Sequence, residues 1–189
     1  MAAVRPHERI VDTAMRLFDQ EGIAAVGVGR ITSAAGVAQM TLYRHFGSKD
    51  ELVAVALERW STRWLHWLES TIDGPDDDPR ARLAALWDAL AKWFESEGYH
   101  GSFVANAATE LRSQPGHPAH QVVADHRTAL RHLLEQLAKL AGADDPAGLA
   151  TQLHLLVEGA TALSLVDDRL AVVDAARTLA ATAVSAGSA

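Results

Sequence analysis

Apolar residues recur along this chain at helical spacing, and clusters of Gly, Pro, Asp and Ser separate the segments that carry them. Ile10, Ala14, Leu17 and Phe18 share one face of a segment from about Pro6 to Gln20, with Pro6 suited to a first turn and Gly22 to the stop that follows. Two short helices are expected next, Val28 to Ala35 and Gln39 to Phe46, around the turn Gly36-Val37-Ala38. A long helix starts after Ser48, where Glu51 completes a capping box, and runs to about Ile72. Beyond a break at Gly74 to Pro79, the residues Leu83, Leu86, Trp87, Leu90, Trp93 and Phe94 form the cleanest amphipathic stripe of the chain. Gly98 to Ser102 is a second break, followed by a short helix near Phe103 to Arg112 and a third break at Gln114 to Pro118. A long helix from Ala119 to Leu140 turns Val123, His126, Leu130, Leu133, Leu134, Leu137 and Leu140 inward, and Gly142 to Pro146 ends it. The last two helices, Ala147 to Val166 and Asp168 to Ser185, are joined by so short a turn that they must be antiparallel neighbours.

The pattern predicts an all-α chain of about nine helices and no strand: three in a small N-terminal head, a long connector, and five in a body. The head covers residues 1–50 and continues into the connector to about residue 65; residues 51–189 form the body. With 189 residues, 49% of them hydrophobic, the chain buries a substantial core and is not disordered. No apolar run approaches the ~18 residues that span a bilayer, so no membrane partner is expected. Met1 to Ile10 carries charges without the apolar stretch of an export signal, which points to the cytoplasm. The absence of cysteine excludes disulfides, thiolate chemistry and cysteine-based zinc or iron–sulfur sites. No metal or cofactor is expected.

A net charge of −7 argues against a nucleic-acid partner until its distribution is read. Residues 1–50 hold six basic and five acidic side chains, a net of +1, so the remaining 139 carry −8. From Gly22 to Lys49 there is no Asp or Glu at all, and a polyanion could sit there. A short helix after a Gly-containing turn can enter a DNA major groove while its predecessor braces it. The side chains of that helix have the chemistry this requires. Gln39 can pair with an adenine edge, Thr41 and Tyr43 can donate to phosphates, and Arg44, His45 and Lys49 supply cationic or potentially cationic donors. Leu42 and Phe46, four apart, would pack it onto the first helix.

The head resembles the TetR family of bacterial transcriptional regulators, through Ile10, Ala14, Leu17, Phe18, Gly22, Val28 and Ile31, then AAGV at 34–37 and TLYRHFGSKDEL at 41–52. The resemblance covers about the first 60 residues. It implies an all-helical homodimer with a helix-turn-helix spanning about Gly29 to Ser48, a palindromic DNA operator, and a C-terminal domain that dimerises and binds a small molecule. The positions matching the family's DNA contacts are Gln39, Met40, Thr41, Tyr43, His45 and Lys49. Gly27 and Ala38 depart from the family's capping Ser or Thr, at a cost of about 0.5 to 2 kcal/mol per lost cap and less where Gly stands in. Met40 replaces a small residue and could meet a thymine methyl. In the body, Gly101-Ser102-Phe103 with Asn106, Ala107 and Glu110, and LLVEGA at 155–160, resemble a common C-terminal variety of the family.

Candidate ligand contacts in the body are Trp60, Trp64, Trp87, Trp93, Phe103 and Asn106, where bulky rings and a few polar groups converge, with His126, His154 and Glu158 as polar handles. Trp60, Trp64 and Trp67, at i, i+4 and i+7, serve core packing first. His117 and His120, beside prolines, read as a surface loop; Asp76–Asp78, Asp144-Asp145 and Asp167-Asp168 read as turns and caps. The penultimate helix is apolar around most of its circumference, which a helix buried on one side does not need. Leu153, Leu156, Val157 and Ala160, with Val173, Ala176, Leu179, Ala180 and Ala183 of the last helix, are therefore expected to pair with their copies in a four-helix bundle. The competing reading is an all-helical enzyme or carrier using His126, His154 and Glu158 in a Trp-lined cavity. It leaves the acid-free head unexplained.

Overall fold

The structure, a computed structural model, describes residues 5–73 and 79–186, except the side chains of residues 79, 80 and 186. The described residues form nine helices and no strand: α1 (Pro6–Glu21), α2 (Val28–Ala35), α3 (Gln39–His45), α4 (Lys49–Ile72), α5 (Pro79–Phe94), α6 (Phe103–Glu110), α7 (Ala119–Leu140), α8 (Pro146–Leu163) and α9 (Arg169–Ala186). The expected acidic turn Asp76–Asp78 lies outside the described residues. α8 ends three residues before the expected Val166, because Leu165, Val166 and Asp167 turn back their N–H groups onto the Ala162 and Leu163 carbonyls. α6 stops at Glu110, two residues short of the expected end.

Caps account for several of the boundaries. Ser48 Oγ accepts the Glu51 N–H at 3.0 Å, and the Glu51 carboxylate accepts the N–H of Gly47 at 2.6 Å, so the box closes one residue earlier in the chain than the standard pattern. Asp145 accepts the Gly148 N–H at 3.0 Å with Pro146 in the first turn of α8, and Asp168 accepts the Ala171 N–H at 2.9 Å. Gly27 and Ala38 offer α2 and α3 no side-chain cap. Gly36 closes α2 at φ +62°, a left-handed conformation in which a side chain would be strained.

The chain divides into two compact units, and the division does not follow chain order. The first unit is Met1–Arg63 with Ser102–His126, and the second is Trp64–Gly101 with Arg127–Ala189. α4 and α7 each run through both. The sequence pattern assigned residues 102–126 to the body, whereas here α6 and the start of α7 share one apolar core with the head. Phe103, Val104, Ala107 and Leu111 present a buried face at helical spacing, and they belong to one cluster with Ile10, Leu17, Phe18, Ile31, Leu42 and Leu52. Burying one such large side chain is worth about 1.5–3 kcal/mol.

In the second unit, α8 packs on α9 and α5 packs on α9. The Tyr99 hydroxyl meets Ser164 Oγ at 2.7 Å and the Thr161 carbonyl at 3.2 Å, and burial pushes its pKa up. The Arg169 guanidinium lies 5.1 Å from the Tyr99 ring centroid and donates to the Phe94 carbonyl at 2.6 Å, closing the C-terminus of α5. Within this unit Leu153, Val157, Ala160, Val173, Ala176 and Ala180 are buried in the protomer itself. Ala160 and Ala176 lie at the floor of a groove between α8 and α9, and Ala180 faces a cavity between α5 and α9. Leu156 and Ala183 are half-buried, and Leu179 is 58% exposed. A groove of about 510 Å³ runs between the two helices along Leu155, Leu156, Gly159, Leu163, Val172 and Leu179.

Candidate nucleic-acid interface

α3 has seven residues, and its orientation is decided by two anchors. Leu42 is fully buried and Phe46, the residue that ends the helix, is 4% exposed; both join the apolar cluster that holds α1 and α2. With that side pinned, Gln39, Met40, Tyr43, Arg44 and His45 are exposed and Thr41 is half-buried. Met40 is 80% exposed, a large cost in apolar surface for a residue with no role outside the protomer. Gln39, Met40 and Tyr43 share one strip of the helix at i, i+1 and i+4.

Other elements flank this strip. The His7 ring in the first turn of α1 stacks on Phe46 at 5.0 Å and meets the His45 ring edge-on at 5.8 Å. His7 Nδ1 lies 3.1 Å from Glu8 Oε1, and that hydrogen bond, with the Arg59 guanidinium at 2.7 Å, lowers the pKa of Glu8. Arg59 also reaches Asp12 at 3.2 Å, and Arg63 reaches it at 2.9 Å. α4 thus neutralises two of the five acidic side chains counted in the first 50 residues. Arg30, in the acid-free stretch, is paired with Glu21 at 2.9 Å.

Lys49 is not a freely extended cation. Its ammonium donates to the Ile23 carbonyl at 2.6 Å and lies 5.9 Å from the centroid of the Phe18 ring. The neighbouring Asp50 faces His117 Nε2 at 3.5 Å. His117 corrects the expectation of a surface loop: it is 6% exposed, its Nδ1 accepts the Ala119 N–H at 3.1 Å, and burial holds its pKa below the ordinary histidine value. Neither His7 nor His117 was legible as part of this region, since no local motif marks a residue that packs on a helix from a distant segment.

The candidate ligand contacts fall in both units. In the first, Trp60 meets Phe103 edge-on at 6.3 Å and His126 at 6.1 Å; His126 is buried with Nδ1 2.8 Å from Ser61 Oγ, and Asn106 is half-buried. Ser61 was missed by sequence reasoning. In the second, Trp64 and Trp93 pack at 5.1 Å, Trp93 and Tyr99 at 5.1 Å, and His154 Nε2 stands 3.5 Å from Glu158 Oε1. Trp87 is 1% exposed and forms one wall of a cavity of about 450 Å³ between α5 and α9 that is also lined by Leu83, Ala180 and Arg177.

Residues 10–56 match the family model described as bacterial regulatory proteins, tetR family. The chain is 27% identical over 173 residues to the HTH-type transcriptional regulator YjdC of Escherichia coli (strain K12), spanning 92% of this chain and 90% of that one. It is 28% identical over 156 residues to the HTH-type transcriptional repressor ComR of the same strain, 79% of this chain and 74% of that one. Among solved structures it superimposes with a TM-score of 0.87 on SCO4454, a TetR-family transcriptional regulator from Streptomyces coelicolor, at 28% identity over 97% of this chain and 96% of that one.

Proposed function

The chain belongs to the TetR family of transcriptional regulators, a DNA-binding and non-enzymatic family, and on that premise we propose that it is a repressor. In this reading it grips a palindromic operator as a homodimer and releases it when a small, largely apolar effector occupies the body. The observation that carries the reading is the exposure of Gln39, Met40 and Tyr43 on a helix pinned from behind by Leu42 and Phe46. Gln39 supplies base-edge hydrogen bonds, Met40 apolar contact to a thymine methyl, Thr41, Tyr43 and Lys49 phosphate contacts, and Arg44 and His45 further cationic or potentially cationic donors. The relation to a protein named as a repressor supports the sign of regulation. None of the described helices is long and apolar enough to cross a membrane; action on DNA in the cytoplasm is part of the proposed reading.

The second copy is read onto the exposed groove between α8 and α9. Of nine large hydrophobic side chains exposed among the described residues, Leu155, Leu163, Leu165, Val166, Leu170 and Leu179 belong to α8, α9 and their connecting turn. That concentration supports a pairing surface. Two heads are needed because each covers one half-site only. Effector binding then acts as a population shift, favouring a state in which α4 holds the two heads of the dimer at the wrong spacing for successive major grooves. Fluorescence-detected binding of the protein to the DNA flanking its own gene, across a salt series, tests the reading: salt-dependent binding stronger than to mixed-sequence DNA is expected, and its absence defeats it.

The effector contacts proposed are Trp60, Phe103, Asn106 and His126 in the first unit and Trp64, Trp87, Trp93, His154 and Glu158 in the second. All five tryptophans lie outside the helix-turn-helix, so quenching by a ligand reports on the remainder of the chain. Quenching that survives in Trp60→Phe and is lost in Trp87→Phe assigns that ligand to the second unit. Linkage requires that operator DNA lower ligand affinity by the factor by which ligand lowers DNA affinity.

A further inference from the structure

Glu110 is the last residue of α6, yet its carboxylate works on the turn between α1 and α2. One oxygen accepts the Ile23 N–H at 3.2 Å and the other the Ala24 N–H at 2.9 Å. These are charge-assisted bonds to two successive amides, so they fix the orientation of the turn as well as its position. Gly22 gives the turn its shape: its φ is +85°, a left-handed conformation that a side chain would strain. The same turn is held from its other side, where the Lys49 ammonium donates to the Ile23 carbonyl at 2.6 Å. One residue, Ile23, therefore has its N–H bound by α6 and its C=O bound by the first residue of α4.

We propose that Glu110 is a positioning residue for DNA binding: by clamping the α1–α2 turn it fixes the Ile23 carbonyl that orients the Lys49 ammonium toward a DNA phosphate. The inference rests on the reading of Lys49 as a phosphate contact. An ammonium has three donors, and one spent on Ile23 leaves two for phosphate oxygens. Lysine is otherwise a flexible four-carbon stem that gains little directional preference from its own backbone. With the turn loose, the ammonium loses its fixed anchor. α6 is then the element whose displacement reaches a DNA contact without any rearrangement of α3.

The test uses a mixed-sequence DNA duplex titrated over a range of salt with the wild type, Lys49→Ala, Glu110→Ala, Glu110→Gln and the double variant Lys49→Ala/Glu110→Ala. Lys49→Ala should lower the slope of log affinity against log salt by about 1, the signature of one lost phosphate contact. Glu110→Ala should lower it by a similar amount and weaken binding several-fold, although Lys49 is still present. Glu110→Gln, which keeps one carbonyl acceptor, should fall between Glu110→Ala and the wild type, and the double variant should match Lys49→Ala. Partial unfolding of Glu110→Ala would reduce the active fraction but leave the slope unchanged, so the slope separates positioning from a loss of fold. The inference is overturned if Glu110→Ala keeps the wild-type slope, or if its effect adds in full to that of Lys49→Ala. A wild-type slope in Lys49→Ala overturns the phosphate reading and the inference with it.

Discussion

α3 and the α8–α9 pair both expose apolar side chains, but they are built on opposite plans. α3 is seven residues long, buries Leu42 and ends on buried Phe46, and shows a mixed strip in which Met40 is flanked by Gln39, Tyr43, Arg44 and His45. α8 and α9 are 18 residues each, bury Leu153, Val157, Ala160, Val173, Ala176 and Ala180, and expose leucines: Leu155 is 71% exposed, Leu163 49% and Leu179 58%. A surface that must read a sequence needs donors and acceptors at particular places, since bases differ by their hydrogen-bonding edges. A surface that must hold a copy of itself needs contiguous apolar area, and many arrangements of Leu and Ala provide that. The first plan leaves a recognisable string of residues and the second leaves only a composition.

The strongest way to break this comparison is to put a charge on the proposed pairing surface. Leu155→Glu adds a carboxylate to a side chain that is mostly exposed in the protomer, so the helices should still form. Burying that charge in a dimer is prohibitive unless it is paired. Sedimentation should show a monomer with wild-type helicity, and operator affinity should collapse with the loss of the second half-site. A dimer in this variant would place the interface elsewhere.

A smaller effect is expected from Gln39→Ala on the proposed reading surface. Loss of a base-edge contact should cost about 1–3 kcal/mol on the operator and little on mixed-sequence DNA. Comparing the two affinities at one salt concentration checks it. Equal losses on both would assign Gln39 to phosphate contact and leave Met40 as the candidate for readout.

The nine helices were legible because each writes an apolar stripe and a stop signal into a few consecutive residues, as Leu83 to Phe94 and Gly36 do. The pairing seam was less so. Leu153, Val157, Val173 and Ala180 are apolar whether they face a neighbouring helix or a second chain, and only their burial in the folded chain shows that they are covered within the protomer. The strip on α3 was readable down to single residues, since Leu42 and Phe46 had to be its inner side. The surroundings of Lys49 were not: Glu110 lies 87 residues from Ile23, and no local pattern announces that so distant a helix shares a unit with the head. The acid-free run from Gly22 to Lys49 is acid-free along the chain, not in space.

Helix capping offers a milder probe of the reading helix. Ala38 begins α3 without a side-chain cap, in an extended conformation at φ −72° and ψ 148° that Ser adopts readily. Ala38→Ser should raise stability by about 0.5–2 kcal/mol, and Gly27→Ser before α2 by only a few tenths. Chemical denaturation measures both. A gain from Ala38→Ser without a change in the denaturant slope would show that α3 is the weaker-capped element of a head that otherwise keeps its structure.

The smallest effect concerns His117, which the sequence assigned to the body and the structure places in the unit that carries α3. Its neutral ring accepts the Ala119 N–H at Nδ1, so the proton sits on Nε2, facing Asp50 at 3.5 Å. Burial lowers the pKa, the Asp50 charge opposes that, and His120 and Lys49 add repulsion of a cation. Because the folded state is the poorer proton acceptor, the unfolded chain takes up a proton first as pH falls through the ordinary histidine value of about 6.5. The stability contributed by neutral His117 is therefore present above that value and is lost below it. Thermal unfolding from about pH 8 to about pH 5 should show the wild type losing more stability than His117→Gln, whose amide can still accept the Ala119 N–H. Since Asp50 partly cancels the burial, the difference should be modest. A wild type that gains on His117→Gln as the pH falls would mean that the ion pair with Asp50 outweighs burial, and acidification would then tighten the contact between α4 and the segment before α7.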